Sequence, residues 1–359
     1  MSSAFSDTAL AARDLAAGHR RIATRRIAML VLLAVILLVA LALDLTTGPA
    51  RIDFAEIVGG ILDPAGLDVR TRIILWQVRL PDALIALAVG AALGLAGLET
   101  QTVLNNPLAS PYTLGISAAA SFGAAMAIVL EPVLSFMPVT AVLPFTAFAF
   151  SFGAALLILA LSSLHGGATS TVILYGIALH FLCNALTSAL QYFASAEAVE
   201  RVVFWTVGNL TKAGWTEVGI VTAVFLLVLP LSLRHVWVLT ALRGGEVLAA
   251  SAGIAVGRVR IAVMARVALL AAIGVCFVGA IAFVGLVGPH IARMLLGEDH
   301  RYLIPGACLT GAAMLSLASF LSKVLLPGVI IPVGVVTAIV GVPVFLVLIA
   351  ARRGEAAWR

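Results

Sequence analysis

Runs of about twenty apolar residues follow one another through nearly the whole chain, separated by short polar connections, and they leave few folds open. A helix needs roughly 20 apolar residues to cross the hydrocarbon core of a bilayer. In lipid only helices and closed barrels can satisfy their own backbone groups. Hydrophobic residues make up 62% of the 359 and charged residues 11%, where a soluble domain carries about a quarter charged. The expected fold is an all-α polytopic membrane protein of about ten transmembrane helices. The spans fall at 27–45, 83–101, 115–130, 139–161, 172–194, 218–239, 261–280, 281–296, 303–324 and 333–350.

Residues 1–26 form a polar, Arg-rich tail ahead of the membrane domain 27–351, and 352–359 form a second tail. No small-residue cleavage site follows the first apolar run, so it is a retained helix rather than a signal peptide. The stretch 46–73 is expected as an external loop with a short amphipathic helix. Residues 196–215 are expected as an amphipathic segment at the interface, where Trp205 and Trp215 suit the headgroup region. Pro132 and Pro138 frame a short turn, SLHGGATS makes a polar loop, and LPGVIIP makes another turn. Of the 22 Lys and Arg residues, fourteen lie in segments that an even number of spans places inside, seven lie outside, and Arg266 lies within a span. That bias predicts both termini in the cytoplasm. It also accounts for the formal charge of +5 without a nucleic-acid partner.

The span at 83–101 is rich in small residues, which let helices approach closely in lipid. Asn105, Asn106 and Pro107 open a run, NNPLASP, that must break it, because each proline removes a backbone donor. Such a break either lies near a translocation path or merely caps the helix. Pro289 and His290 are expected as a second break, and a faint echo between the two regions would make them an inverted repeat. Gln101 is placed to line a path or to hydrogen-bond a neighbouring helix. Glu99 and Arg266 are ionisable groups within spans, which are costly and rare. Either they pair in the inner half of the bundle or each snorkels separately to the interface.

No catalytic constellation is present: there is no HExxH, no GxSxG, no Walker-A loop and no Cys/His cluster. Cys183, Cys276 and Cys308 fall inside spans without metal-ligand spacing. The chain is therefore expected to hydrolyse no nucleotide itself. Residues 242–260 are too polar for lipid and too short for a soluble domain, and read as a cytoplasmic docking segment. An ion-driven secondary transporter would need acidic residues at mid-span for coupling, and only Glu99 answers.

Three separated stretches now carry a resemblance. RLPDALIALAVGAALGLAGLETQTVLNNPLASPYTLGIS, FVGLVGPHIARMLLGEDHR and LPGVIIPVGVVTAIVGVPVFLVLI resemble, in order, the signatures of FecCD-type permeases. These are the membrane subunits of ATP-binding-cassette importers for iron-siderophore complexes, haem or vitamin B12. The resemblance implies a type II importer permease fold and a second permease subunit, identical or closely homologous. It further implies two cytoplasmic ATPase subunits, which would hold ATP and magnesium, an extracytoplasmic binding protein, and a place in the inner membrane. On the same resemblance Gly245, Glu246, Ser251 and Gly253 match the family's ATPase-coupling helices. Arg70, Arg72 and Arg201 would dock an acidic patch of the binding protein. Gly288 stands where the family usually has a larger apolar residue. Ferric siderophore leads as cargo, with haem or vitamin B12 as alternatives.

Overall fold

The computed structural model describes residues 2–48, 50, 52–131, 138–164, 169–326 and 328–356. The expectations for Pro132, for the loop residues 165–168, for Arg51, for Pro327 and for the last three residues lie outside them. Among the described residues the structure is all-helical, with seven helices long and apolar enough to cross a membrane and three shorter apolar ones beside them.

Helix α1 (Ser2–Thr46) is one unbroken helix of 45 residues, so the expected N-terminal tail continues as helix instead of preceding it. The reason is local: Ala, Leu and Arg dominate 9–26, and these are strong helix formers without a proline among them. Helix α2 (Phe54–Leu62) lies where a short helix was expected after the first span. Helix α3 (Val69–Ile73) then runs through a π-helical turn (Ile74–Arg79) into α4 (Leu80–Val103) without interruption. The second span thus starts well before residue 83. Pro81 has no N–H for the Gln77 carbonyl, and the wider turn lies just ahead of it.

Next come α5 (Ile116–Val129), α6 (Val139–Leu164), α7 (Thr169–Phe193) and the short α8 (Ala196–Thr206). Helix α9 (Trp215–Arg234) stops at His235 and restarts as α10 (Val236–Arg243), so the expected span 218–239 is two pieces. The short α11 (Glu246–Ser251) precedes α12 (Val256–Val278), α13 (Val284–Leu296), α14 (His300–Val324) and α15 (Val333–Ala356).

Helix α4 is the axis of the bundle and is buried along almost its whole length. Its glycines make this possible. A Cβ on Gly90 would lie 2.5 Å from the Gly311 carbonyl oxygen of α14, and one on Gly94 or Gly97 would collide with the Ala307 or Gly285 carbonyl. Backbone thus meets backbone, the closest approach helices can make. Pro289 completes the contact: lacking an N–H, it leaves the carbonyl of Gly285 free to turn toward Gly97.

The two ends of the bundle are tied separately. Arg26 reaches Asp299 at 3.2 Å at one end. At the other, Lys323 pairs with buried Asp44 at 2.9 Å, and the Trp215 indole donates to the Trp76 carbonyl at 2.7 Å. Segments expected on one side of the membrane therefore gather at one end.

A Cβ added at Gly97 meets backbone that cannot give way, whereas one at Gly153 meets nothing within 4 Å. Overpacking of this kind costs about 1–3 kcal/mol. Gly97→Ala is expected to lower the thermal midpoint of the detergent-purified chain by several degrees, and Gly153→Ala to leave it unchanged, as followed by tryptophan fluorescence on heating.

Candidate functional site: a polar cavity between two helix breaks and the ionic network behind it

Two interruptions of helix lie inside the bundle. The first, 104–115, ends in Gly115 at φ +77, whose backbone lies against Gly176 and His180 of α7. Its own polar groups are satisfied by a Ser110–Thr113 turn: Thr113 Oγ1 accepts from the Ser110 N–H at 3.0 Å, and Ser110 Oγ accepts from the Thr113 N–H at 3.2 Å. The second, 279–283, is bounded by Gly279 at φ +78 and Phe283 at φ +67. A bulky side chain in the left-handed region is strained. The expected second break at Pro289 and His290 is thus displaced upstream: both residues are buried inside α13. A helix tolerates Pro289 here because α4 takes up its orphaned carbonyl.

Ser110, Pro111 and Tyr112 of the first break face Ile281, Phe283 and Gly285 around a small gap. Beside it opens a cavity of about 380 Å³ bounded by Tyr112, by Ala280, by Ser117 and Ser121 of α5, and by one face of α7. That face carries His180, Asn184, Thr187, Ser188 and Gln191, at spacings that put them in one stripe of a helix. Asn184 Nδ2 lies 3.0 Å from His180 Nε2, and Asn184 and Ser188 are exposed. Irregular backbone at membrane depth is stable only against protein or a water-filled cavity, and this cavity touches both breaks.

The residues expected to line a path are placed differently. Gln101 is fully buried, donating to the Leu286 carbonyl at 3.1 Å and accepting from Arg293 at 3.0 Å. Asn105, at φ +42, accepts from Arg243 at 2.8 Å. Asn106 accepts from the Leu108 N–H, and Pro107 is half-buried in the same turn. None of the four is in the wall of the cavity. They belong to a network at the α4 terminus, in which Glu298 takes Arg243 and Arg293 each at 3.1 Å. Next to it, Thr102 and Thr240 flank His300 at 2.9 and 3.2 Å. Asp299 beside them is held below the usual carboxylate range, chiefly by the hydrogen bond from Arg301, with the charge of Arg26 adding to it.

This network adjoins the docking segment, since Arg243 is the last residue of α10. Gly245 at φ +114 and Gly253 at φ +81 bracket α11, and Ser251 donates back to the Leu248 carbonyl. Glu246 pairs with Arg260 of α12, and Ala249 is buried. Val247 and Leu248 project outward at 86% and 60% exposure. The sequence reading missed this exposed apolar pair because apolar residues are unremarkable in such a chain.

Glu99 and Arg266 come together: Arg266 Nη2 lies 2.8 Å from Glu99 Oε1, with Glu99 fully buried and the His235 ring at 3.3 Å from the same guanidinium. At the opposite end Arg70 and Arg72 are exposed on α3, whereas Arg201 of α8 is paired with Glu131. The pairs Asp44–Lys323 and Arg293–Glu298 have no counterpart in the sequence reading. Only the α7 stripe had a sequence signal, its helical spacing.

A family model, the FecCD transport family, matches residues 33–351. The Fe(3+)-citrate import system permease protein YfmE of Bacillus subtilis is 36% identical over 90% of this chain and 95% of its own. The hemin transport system permease protein HmuU of Yersinia pestis is 34% identical over 78% of this chain and 84% of its own. A solved structure described as an inward-facing metal-chelate type ABC transporter superposes with a TM-score of 0.79 at 29% identity, over 90% of this chain and 99% of that one.

Removing one member of a buried ion pair costs about 3–5 kcal/mol, because the other charge is left uncompensated. Arg266→Met is therefore expected to abolish the monodisperse peak in size-exclusion chromatography, and the double variant Glu99→Leu/Arg266→Met to restore it. A double variant no better than the single one would show that Glu99 and Arg266 act independently.

Proposed function

Because the chain belongs to the FecCD transport family, we propose that it carries a ferric siderophore across the cytoplasmic membrane as the permease of an ATP-binding-cassette importer. Membership makes it a membrane-embedded permease that works with a separate ATPase and a binding protein. The finer reading rests on one observation: the two helix breaks open onto one polar cavity. Haem, a flat and largely apolar ligand, would leave the hydrogen-bonding groups of that wall without partners, which costs affinity. Vitamin B12 is the remaining alternative from the family.

In this reading two copies of the permease, or this chain and a close homologue, stand on two ATPase subunits, which bind ATP and magnesium. The α11 face bearing Val247 and Leu248 seats in the ATPase, and Gly245 and Gly253 supply the turns that aim it. The network through Arg243, Glu298, Arg293 and Gln101 carries the resulting movement to α4 and α13. Arg70 and Arg72, exposed on α3, orient the binding protein. Arg201 contributes with Glu131 as one of a pair. Charge complementarity at such a surface mainly sets encounter rate and register.

Glu246 is a poor test of docking, since its carboxylate already serves Arg260. Val247→Arg changes only the exposed face. It is expected to reduce co-purification with the ATPase and to lower ATP hydrolysis stimulated by chelate-loaded binding protein at least tenfold in proteoliposomes. Unchanged stimulation would remove α11 as the coupling element. Orientation is read by a membrane-impermeant maleimide, because the three native cysteines are buried. Val69→Cys is expected to label in intact cells and Val247→Cys only after permeabilisation; the reverse pattern would place both termini outside.

A further inference from the structure

The α7 stripe sits where a membrane protein can least tolerate it. Helix α7 runs from Thr169 to Phe193, so its midpoint is Phe181. His180 and Asn184 lie within about 6 Å of that level at 1.5 Å per residue. Among the described residues no side-chain hydrogen bond is made by Ser188 or Gln191, and the Asn184 side chain meets only that of His180. Exposing amide and hydroxyl groups to hydrocarbon at this depth is costly. The stripe therefore faces water or a ligand.

The chemistry of the wall is specific. It is made of hydrogen-bonding groups: two carboxamides, several hydroxyls and one imidazole. Among the described residues no Asp, Glu, Lys or Arg bounds the cavity, although eight ion pairs lie elsewhere. A multiply charged anion entering here would lose hydration and meet no fixed cation, which disfavours it strongly. A flat apolar ligand would leave the stripe unpaired.

We propose that His180, Asn184, Ser188 and Gln191 form a specificity-determining subsite for an electroneutral, oxygen-rich ferric chelate. Hydroxamate oxygens and amide carbonyls accept from the Asn184, Ser188 and Gln191 donors, while iron's charge is already cancelled within the chelate. The cavity is open on the side of Asn184 and Ser188, and the second permease subunit supplies the facing wall. This deepens the siderophore reading above and rests on it.

The test uses the whole importer in proteoliposomes and three probes: ferrichrome (a neutral trihydroxamate), ferric enterobactin (a trianionic tricatecholate) and haemin. The wild type is expected to take up ferrichrome at least tenfold faster than either of the others. In Asn184→Leu/Gln191→Leu the ratio of ferrichrome to haemin uptake is expected to fall at least tenfold. A merely structural defect would slow all probes equally, and that outcome would overturn the subsite. Wild-type preference for ferric enterobactin or haemin would overturn the electroneutral class while leaving the permease reading intact. ATP-dependent uptake of none of the three, or of cobalamin alone, would remove the siderophore reading and the subsite with it.

Discussion

Backbone lying directly on backbone along α4 is the constraint on which the remaining architecture depends. Gly90 and Gly94 admit the carbonyls of α14, and Gly97 admits that of α13. Lipid offers no hydrophobic drive to associate helices, so close van der Waals contact has to supply it. Three helices locked this tightly provide a rigid centre, and the less buried α1, α6, α7 and α9 surround it. The same closeness explains why Pro289 is harmless in the middle of α13. Its missing donor and the glycine opposite are complementary halves of one contact.

A rigid centre lets irregular backbone survive beside it. Both helix breaks are held at membrane depth, one by the reciprocal Ser110–Thr113 turn and the other by close contact of Gly279 with the Trp205 carbonyl region. Charged groups follow a related logic. Glu99 and Asp44 are wholly buried, and each has a counter-ion from a distant part of the chain. These pairs add little net stability over an apolar filling, but each forbids arrangements that would separate its partners. They therefore define which helices are neighbours.

The ends of the molecule divide the work. At one end Arg243 connects the last turn before α11 to Asn105 and Glu298, and through Arg293 to Gln101. The segment that carries α11 thus has a continuous polar connection to the α4 terminus. Among the described residues the cavity wall carries no Asp, Glu, Lys or Arg, although ion pairs are frequent elsewhere in the bundle. That segregation makes the central compartment chemically distinct from both surfaces.

Much of this was legible in the residues. Apolar run length decided that the protein is helical and polytopic, because lipid leaves a backbone no other open solution. Composition showed that 83–101 would be a close-packed helix, and polarity marked 242–260 as lying outside lipid. Resemblance among three ordered motifs supplied the family. Other features needed the third dimension. The sequence alone could not show that the second break lies at 279–283 rather than at Pro289, since a proline is disruptive only where its orphaned carbonyl finds no neighbour. Nor could it choose between pairing and snorkelling for Glu99 and Arg266, which are 167 positions apart. Local periodicity reports which face of a helix is apolar; which partner meets that face is decided by packing, and packing alone placed Gln101 in a network and His180 in a cavity wall.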